Sequence, residues 1–126
     1  MSNQVYITKT ASFLPNEPVS NDEMEEYMGL IKGRRSKSKA IVLRNNGIKR
    51  RFYAITKEGK ATHTNAQMTA LAVKSLFDND PSELKKMDLL SCGTSTPDQM
   101  MPSHAAMVHG WLPESESIEV VSPAGV

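Results

Sequence analysis

The sequence predicts an α/β fold in which short apolar strands alternate with amphipathic helices. An apolar run at 87–92 ends in Gly93, as a buried strand of a parallel sheet does, and a second apolar run follows at 118–121. A segment with helical spacing begins at Pro102 and separates the two runs, and a longer one at 65–77 precedes them. Because parallel strands must be joined by a crossover, this order indicates a βαβ arrangement.

The first half of the chain predicts a strand, a helix and a loop. Apolar and polar residues alternate before Pro15, which is typical of a strand that leads into a turn. Asn21 can cap a helix whose first turn is acidic, and Gly33 can end it. The expected elements are a strand at 5–14, a helix at 21–33, and extended pieces at 41–43 and 52–55 around a turn at 45–47.

The second half predicts three helices and two strands. The segment 65–77 carries apolar residues at the spacing of one buried helix face. Pro81 can open a short helical turn, because proline is tolerated at a first helical position. Pro102 can likewise begin a helix that continues to Gly110, and the last strand is expected at 118–121.

Composition and length limit the class of protein. The 126 residues, 39% hydrophobic and 23% charged, correspond to about one domain and exclude collagen, a coiled coil and wholesale disorder. No run of about eighteen apolar residues is present, and the first residues lack the pattern of a secretory signal, so we expect a cytoplasmic protein without a membrane span. The single cysteine, Cys92, cannot form an internal disulfide, and the three histidines show no metal-binding spacing. We therefore expect neither a metal nor a cofactor.

Positive charge is concentrated at 32–51, which we call the basic segment. It carries nine Lys and Arg side chains and no acidic residue. Such a segment attracts the phosphates of nucleic acid, an anionic membrane, a nucleotide-like cofactor or a phosphorylated carrier, or it is simply a solvated loop. Nucleic acid would also need stacking side chains, and only Phe52 and Tyr53 lie close by. We therefore expect no nucleic-acid partner.

The sequence gives little evidence for a catalytic role of any single cysteine or histidine. Cys92 ends a predicted apolar strand, which favours a buried, unreactive thiol. His104 and His109 lie five residues apart on one predicted helix and therefore do not share a face. His63 lies in a polar loop, where capping or solvent contact is its expected role. The sequence contains no dinucleotide-binding, Walker or nucleophile-elbow motif.

Five segments, taken in this order, resemble β-ketoacyl-acyl-carrier-protein synthase III, a family of the thiolase-like superfamily. They read YITKTASFLP at 6–15, NGIKRR at 46–51, DLL at 88–90, TST at 94–96 and PSHAA at 102–106. The resemblance runs nearly from end to end of the chain. It implies a thiolase-like layered α/β fold, of which residues 1–126 would form most of the N-terminal half, with the C-terminal half absent.

The resemblance implies an acyltransferase that performs a decarboxylative Claisen condensation in fatty-acid or related lipid or polyketide synthesis. A cysteine thiolate takes an acyl group from a thioester, and the acyl-enzyme then condenses with a malonyl carrier. In the family this cysteine begins a helix just after a strand similar to 118–121, so we expect it immediately after Val126. The chain itself then holds no catalytic residue, and its uncovered last strand also predicts that it is part of a larger domain.

The resemblance also implies two groups of substrate-binding residues. Met101 occupies the position from which related synthases send an apolar side chain across a homodimer into the partner's acyl pocket, with core packing as the alternative. Phosphates of coenzyme A or of an acyl carrier would bind to basic side chains in and beside the family-like segment at 46–51. These are Arg44, Lys49, Arg50 and Arg51. The family's coenzyme-A-binding tryptophan has no counterpart, since Trp111 lies far downstream, which favours a carrier-loaded or longer acyl substrate.

The alternative, from another functional class, is a non-catalytic binding module. In that case the basic segment would bind nucleic acid or a protein partner. The residues that follow Val126 distinguish the two hypotheses, because a cysteine followed by small residues and an apolar helix supports the synthase.

Overall fold

The computed structural model describes residues 4–123, and the chain divides into two compact units. The core unit combines Met1–Phe13 with Asn65–Val126, and the basic unit is Leu14–Thr64. The elements in chain order are β1 (Val19–Ser20), α1 (Met24–Met28), α2 (Lys39–Asn46), β2 (Arg50–Arg51), α3 (Asn65–Leu76), α4 (Pro81–Leu84), β3 (Leu89–Ser91), α5 (His104–Gly110), a 3-10 turn (Pro113–Ser115) and β4 (Glu119–Val121). None of the described helices is long and apolar enough to cross a membrane.

The core unit is built around a parallel strand pair joined by a helix, as the sequence predicts. β3 pairs in parallel with β4, and the partners are Leu89 with Glu119, Leu90 with Val120 and Ser91 with Val121. α5 lies between the two strands in sequence and contacts β3, β4 and α3. The βαβ crossover predicted from the two apolar runs is therefore confirmed.

One buried cluster holds the core unit together. α5 contributes two fully buried side chains to it, and α3 contributes small residues that allow the two helices to approach closely. Removing each large apolar side chain of such a cluster from water contributes about 1.5–3 kcal/mol. The members are Ala66, Ala70, Leu84, Leu90, Cys92, Ala105, Val108 and Leu112.

Side-chain caps define the starts of two helices in the core unit. Asp80 precedes α4 and accepts a bond from the Ser82 amide at 2.8 Å, and this bond lowers the pKa of Asp80. Ser103 precedes α5, and its hydroxyl accepts a bond from the Ala106 amide at 3.3 Å. α5 therefore begins after Pro102 rather than at it, whereas the predictions of α3 and α4 are confirmed.

The strand predicted at 5–14 is absent, since this segment forms neither a helix nor a strand. Val5 and Ile7 are exposed, and no strand in the described part of the chain pairs with them. Alternation alone does not stabilise a strand, because the stabilising contacts come from a neighbouring strand. The segment instead places the Lys9 ammonium 5.9 Å from the centre of the Phe77 ring.

The basic unit contains two helices, one antiparallel strand pair and few buried residues. β1 pairs with β2, with Val19 opposite Arg51 and Ser20 opposite Arg50. Within its residues 14–64, only Pro15 and Val19 are buried. Its large apolar side chains that are exposed are Leu14, Met28, Leu30, Ile31, Ile41, Val42 and Ile48.

Two predictions for the basic unit are wrong, and glycine C-caps explain both. The helix predicted at 21–33 ends early, because Gly29 with φ 75° follows α1. The extended piece predicted at 41–43 is instead part of α2, which ends at Gly47 with φ 67°. The predicted turn is thus a left-handed helix cap. The extended piece expected at 52–55 is found only in part, because Ile55 forms an isolated antiparallel bridge with Ala61 and β2 lies just before the piece. A short apolar run alone does not distinguish a strand from a helix.

The predicted cap of the first helix is also wrong. Glu23 rather than Asn21 precedes α1. Hydrogen bonds from the Ser20 hydroxyl, at 2.6 Å, and from its amide, at 3.0 Å, lower the pKa of the Glu23 carboxyl. Asn21 instead donates its side-chain amide to the Ile48 carbonyl at 3.0 Å, so it links α1 to the segment after α2.

Candidate functional site

The carboxyl ends of β3 and β4 form one edge of the core unit, which we call the strand edge. Ligands of open parallel sheets bind at such edges. The hydroxyl of Ser122, directly after β4, donates to the Cys92 carbonyl at 3.4 Å and accepts from the Ala105 amide at 3.3 Å. The Cys92 amide also donates to the Val121 carbonyl at 2.9 Å. The ends of both strands and the start of α5 therefore meet at one point.

The segment between β3 and α5 is anchored to the start of α3. The Asp98 carboxylate accepts bonds from the amides of Asn65, at 2.7 Å, and Ala66, at 2.8 Å. The Asn65 side chain donates in return to the Thr96 carbonyl at 2.7 Å and to the Thr94 hydroxyl at 3.3 Å. We call these reciprocal bonds the Asp98–Asn65 clamp. They satisfy helix amides that have no partner within the helix.

The same segment ends in two exposed methionines. Met100 is 87% exposed and Met101 is 81% exposed. A cis peptide bond joins Met101 to Pro102, and the cap of α5 follows. Because Met101 lies at the surface, packing in the buried cluster does not account for it.

A pocket of about 140 Å³ lies between this segment and the strand edge. His104 is the most buried of its lining side chains, at 3% exposure. Its Nε2 atom lies 3.4 Å from the Thr69 hydroxyl, and its Nδ1 atom has no hydrogen-bond partner within residues 4–123. The lining residues are Thr94, Pro97, Gln99, Met100, Ser103, His104, Ser122 and Pro123.

The cysteine and two of the histidines occupy structural positions. Cys92 is 6% exposed, and burial raises the pKa of its thiol, which disfavours the nucleophilic thiolate. One ring nitrogen of His109 lies 2.9 Å from the Glu116 carbonyl, and one of His63 lies 3.0 Å from the Thr62 hydroxyl. In the described part of the chain, no group of three or more His, Cys, Asp or Glu side chains could hold a metal ion.

The four side chains expected to meet phosphate lie in the last turn of α2 and around β2. Arg44 stands near the C-terminus of α2, where a cation interacts favourably with the helix dipole. Lys49 and Arg50 are exposed, and Arg51 is half-buried with its Nη1 atom lacking a hydrogen-bond partner. Counting ion pairs only among residues 4–123, none of the four has one. The charges of the exposed Arg44, Lys49 and Arg50 are therefore accessible to an anion, whereas Arg51 is accessible only in part.

The basic segment is not the simple solvated loop that was one of the alternatives, because α2 lies within it. Arg35 and Lys39 lie 3.4 and 3.5 Å from the Glu25 carboxylate, which neutralises part of the segment. An apolar pocket of about 300 Å³ lies between α1 and α2. It is lined by Met24, Glu25, Met28, Gly29, Ile31, Ser36, Ser38, Lys39, Val42 and Leu43.

Sequence reasoning missed Asp98 and Asn65. The run from Thr94 to Asp98 is rich in residue types that cap helices, which is the signal that could have drawn attention to it. The capped amides lie 33 and 32 residues away, so no local pattern identifies them.

Curated relatives cover most of this chain, although no protein-family model matches it. It is 35% identical over 104 residues to β-ketoacyl-[acyl-carrier-protein] synthase III 1 of Deinococcus radiodurans, which covers 82% of this chain and 27% of that protein. It is 34% identical over 104 residues to the synthase III of Lactobacillus helveticus, with 82% and 28% covered. The chain thus spans little more than a quarter of the length of these relatives.

Solved structures with the same fold include two condensing enzymes. AbyA1, a tetronic acid condensing enzyme, superposes with a TM-score of 0.62 at 25% identity, covering 94% of this chain and 36% of that one. The 3-oxoacyl-[acyl-carrier-protein] synthase III of Aquifex aeolicus superposes with a TM-score of 0.66 at 21% identity, covering 93% and 33%. The prediction of a thiolase-like α/β fold is confirmed. With its five family-like segments and its parallel β3–α5–β4 arrangement, the chain belongs to the β-ketoacyl-acyl-carrier-protein synthase III family.

Proposed function

We propose that the whole protein is an acyltransferase of the synthase III type, and that residues 1–126 are the N-terminal part of its thiolase-like domain. A cysteine thiolate attacks the carbonyl of an acyl thioester and expels the carrier thiol. The malonyl carrier then loses carbon dioxide, and the carbanion that remains attacks the acyl-enzyme. This step forms the β-ketoacyl carrier and returns the cysteine to its thiolate. The pathway is fatty-acid or related lipid or polyketide synthesis.

The observation that carries this proposal is the strand edge in a chain of this family. Here Ser122 joins the ends of β3 and β4 to the start of α5. The proposed nucleophile follows Val126, a short distance along the chain from β4. At the N-terminus of a helix, a cysteine has a lowered pKa, and free backbone amides can stabilise the thioester oxyanion. Cys92 is unsuited to be the nucleophile, because burial raises the pKa of its thiol.

The acyl group is proposed to lie against Met101 of a second subunit. An exposed apolar side chain at the end of an anchored segment supports this role. Methionine is flexible and polarizable, so it suits a pocket for a longer or less rigid acyl chain. The layer that contains α5 is the proposed homodimer surface, where Ala106 and Ser103 allow close contact.

The carrier phosphate, from phosphopantetheine or coenzyme A, is proposed to meet Arg44, Lys49, Arg50 and Arg51. Their lack of ion pairs within the described part of the chain supports this. Such substrates favour a cytoplasmic enzyme. Nucleic acid is disfavoured, because the Tyr53 ring already packs against Tyr27 with 5.8 Å between their centres.

The direct test is an assay of the full-length protein with an acyl thioester and a malonyl carrier. Release of carbon dioxide together with a β-ketoacyl product is expected, and replacement of the first cysteine after Val126 by alanine should abolish both. No product from the intact protein, together with salt-sensitive retention on single-stranded nucleic acid, would overturn the proposal in favour of a binding module.

The double substitution Arg50→Ala/Arg51→Ala should lower carrier-dependent turnover of the full-length enzyme by about tenfold at low salt. The loss should shrink at high salt, because salt already screens the attraction. Lys60→Ala is the matched control, since Lys60 is an exposed cation of the same unit outside the proposed group. Equal turnover of both variants at every salt concentration would contradict the proposed role and would show that Arg50 and Arg51 are solvated surface residues.

Met101→Trp should shift the acyl-chain preference of the full-length enzyme toward shorter chains, because the larger ring fills the neighbouring pocket. A change of about tenfold in the ratio of kcat/KM between long and short acyl thioesters is expected. Met101→Leu, of similar volume, is the control and should change the ratio little. A monomer in sedimentation, or an unaltered ratio, would contradict the role of Met101.

A further inference from the structure

Residues 99–102, which we call the tip, carry Met100 and Met101 and are held at both ends. On one side, the Asp98 carboxylate accepts two amide bonds from the first turn of α3, at 2.7 and 2.8 Å. On the other side, the Ser103 hydroxyl accepts the Ala106 amide and caps α5. Four residues lie between the two anchors, so the backbone of the tip has little freedom.

The anchor on the Asp98 side is the stronger of the two. An ionised carboxylate on helix amides forms charge-assisted bonds, and the positive end of the α3 dipole adds to them. α3 has twelve residues, so its dipole is well developed. Asn65 returns a bond to the Thr96 carbonyl, and the Thr96 amide donates to the Thr94 hydroxyl at 3.1 Å. The clamp therefore fixes the backbone from 94 to 98 as one piece.

The clamp does not support the buried cluster of the core unit. None of the eight cluster residues lies between 94 and 103. It holds instead a surface segment whose methionines are among the most exposed apolar side chains described. Anchoring such a tip lowers the entropy lost when its side chains enter a pocket, and it sets the angle of entry.

We propose that Asp98 is a positioning residue for the acyl pocket, which acts by holding the tip so that Met101 stands at one depth and angle. This inference rests on the proposed function, because it takes Met101 as a wall of that pocket. Loss of the clamp lets the tip move, and the pocket wall becomes less defined. Selectivity between acyl chains then changes, while the condensation chemistry at the cysteine is retained.

The test measures the ratio of kcat/KM for a long-chain acyl thioester to that for an acetyl thioester in the full-length enzyme. Asp98→Ala should change this ratio by about threefold or more, and Asp98→Asn, which keeps one acceptor oxygen, should change it less. Asp88→Asn is the control, because Asp88 is an exposed carboxylate of the same unit outside the clamp. It should leave the ratio unchanged. If Asp98→Ala fails to fold, Asp98→Asn alone carries the comparison.

The same substitution in a Met101→Ala background separates this inference from the proposed function. With no side chain left to position, Asp98→Ala should change the ratio no further. If Met101→Ala alone leaves the ratio unaltered, the proposed role of Met101 fails, and the inference fails with it. If Met101→Ala alters the ratio but Asp98→Ala does not, or if Asp98→Ala acts equally in both backgrounds, the inference alone is overturned.

Amide hydrogen exchange tests the physical step independently of activity. In Asp98→Ala, amides between 94 and 103 should exchange roughly fivefold faster, while those of β3 should not change. Unchanged exchange across the segment would show that the clamp does not hold the tip, which would overturn the inference.

Discussion

The core unit and the basic unit differ in where their apolar side chains lie. In the core unit, eight residues drawn from three helices, a strand and the segments around them form one buried cluster. In the basic unit, only Pro15 and Val19 are buried among residues 14–64. Both units expose large apolar side chains, so the difference lies in what is buried. The hydrophobic contribution to stability therefore acts mainly in the core unit.

With so few buried residues, the basic unit depends more on polar contacts between residues far apart in sequence. Lys57 and Glu26 form an exposed ion pair at 2.6 Å, and Asn16 donates to the Tyr53 carbonyl at 2.7 Å. Exposed ion pairs of this kind contribute little to stability, because water and salt screen them. Eleven of the fifteen Lys and Arg side chains lie within Leu14–Thr64. Positive charge is therefore concentrated in the basic unit, and burial in the core unit. The proposed contact with a carrier phosphate uses the basic unit.

The largest expected effect is that of a cavity in the core unit. Leu112→Ala should lower the free energy of unfolding by about 3 kcal/mol, because Leu112 is fully buried and its removal leaves a void. Val42→Ala in α2 is the matched control, and its cost should stay within about 0.5 kcal/mol because Val42 is 54% exposed. Urea unfolding of the two variants measures both values. Equal losses would contradict the comparison between the units.

A smaller effect is expected from a helix cap in the basic unit. Gly47→Ala should cost about 1 kcal/mol, because alanine is strained at φ 67° even though the added methyl would meet no atom within 4 Å. Gly93→Ala is the control, since Gly93 has no positive φ and equally open surroundings. It should be neutral or slightly stabilising. Amide exchange in α2 and thermal unfolding report the difference, and identical behaviour of both variants would refute the capping role.

The smallest expected effect concerns the thiol in the buried cluster. Burial raises the pKa of Cys92 above its ordinary value of 9.0, so the unfolded chain loses its thiol proton before the folded one does. The unfolded state then binds fewer protons, and stability should fall as pH rises above about 9, by less than about 1 kcal/mol near pH 9.5. Cys92→Ala should remove this pH dependence. Alkylation of native Cys92 that is as fast as in the urea-unfolded chain would contradict its burial.

Periodicity predicted the part of the core unit from Asn65 onward well, because the helices and strands there owe their positions to the same buried cluster. The segment predicted at 65–77 forms α3 over Asn65–Leu76, and the two apolar runs form the parallel pair β3 and β4. Elements that depend on a partner or a cap were not predictable in this way. The alternating segment at 5–14 has no neighbouring strand to pair with in the described part of the chain. The apolar triplet at 41–43 lies in α2, which Gly47 caps at its C-terminus.

The candidate site was predictable only in part. Met101 and the four basic side chains came from a resemblance in sequence, and their exposure and lack of ion pairs became visible only in the structure. The bonds of Asp98 to the amides of Asn65 and Ala66 join residues more than thirty positions apart. Sequence patterns identify residues that can cap a helix, but a fold decides which helix they reach.

The bond from the Ser122 hydroxyl to the Cys92 carbonyl has a consequence for the order of folding. The two residues are 30 positions apart, and α5 lies between them. Helices form within about a microsecond, whereas pairing across so long a loop must first overcome its closure entropy. Val120→Ala in β4 should therefore speed unfolding more than it slows refolding. Stopped-flow folding and unfolding rates measure the difference, and a larger change in unfolding would place formation of the strand edge late in the folding of the core unit.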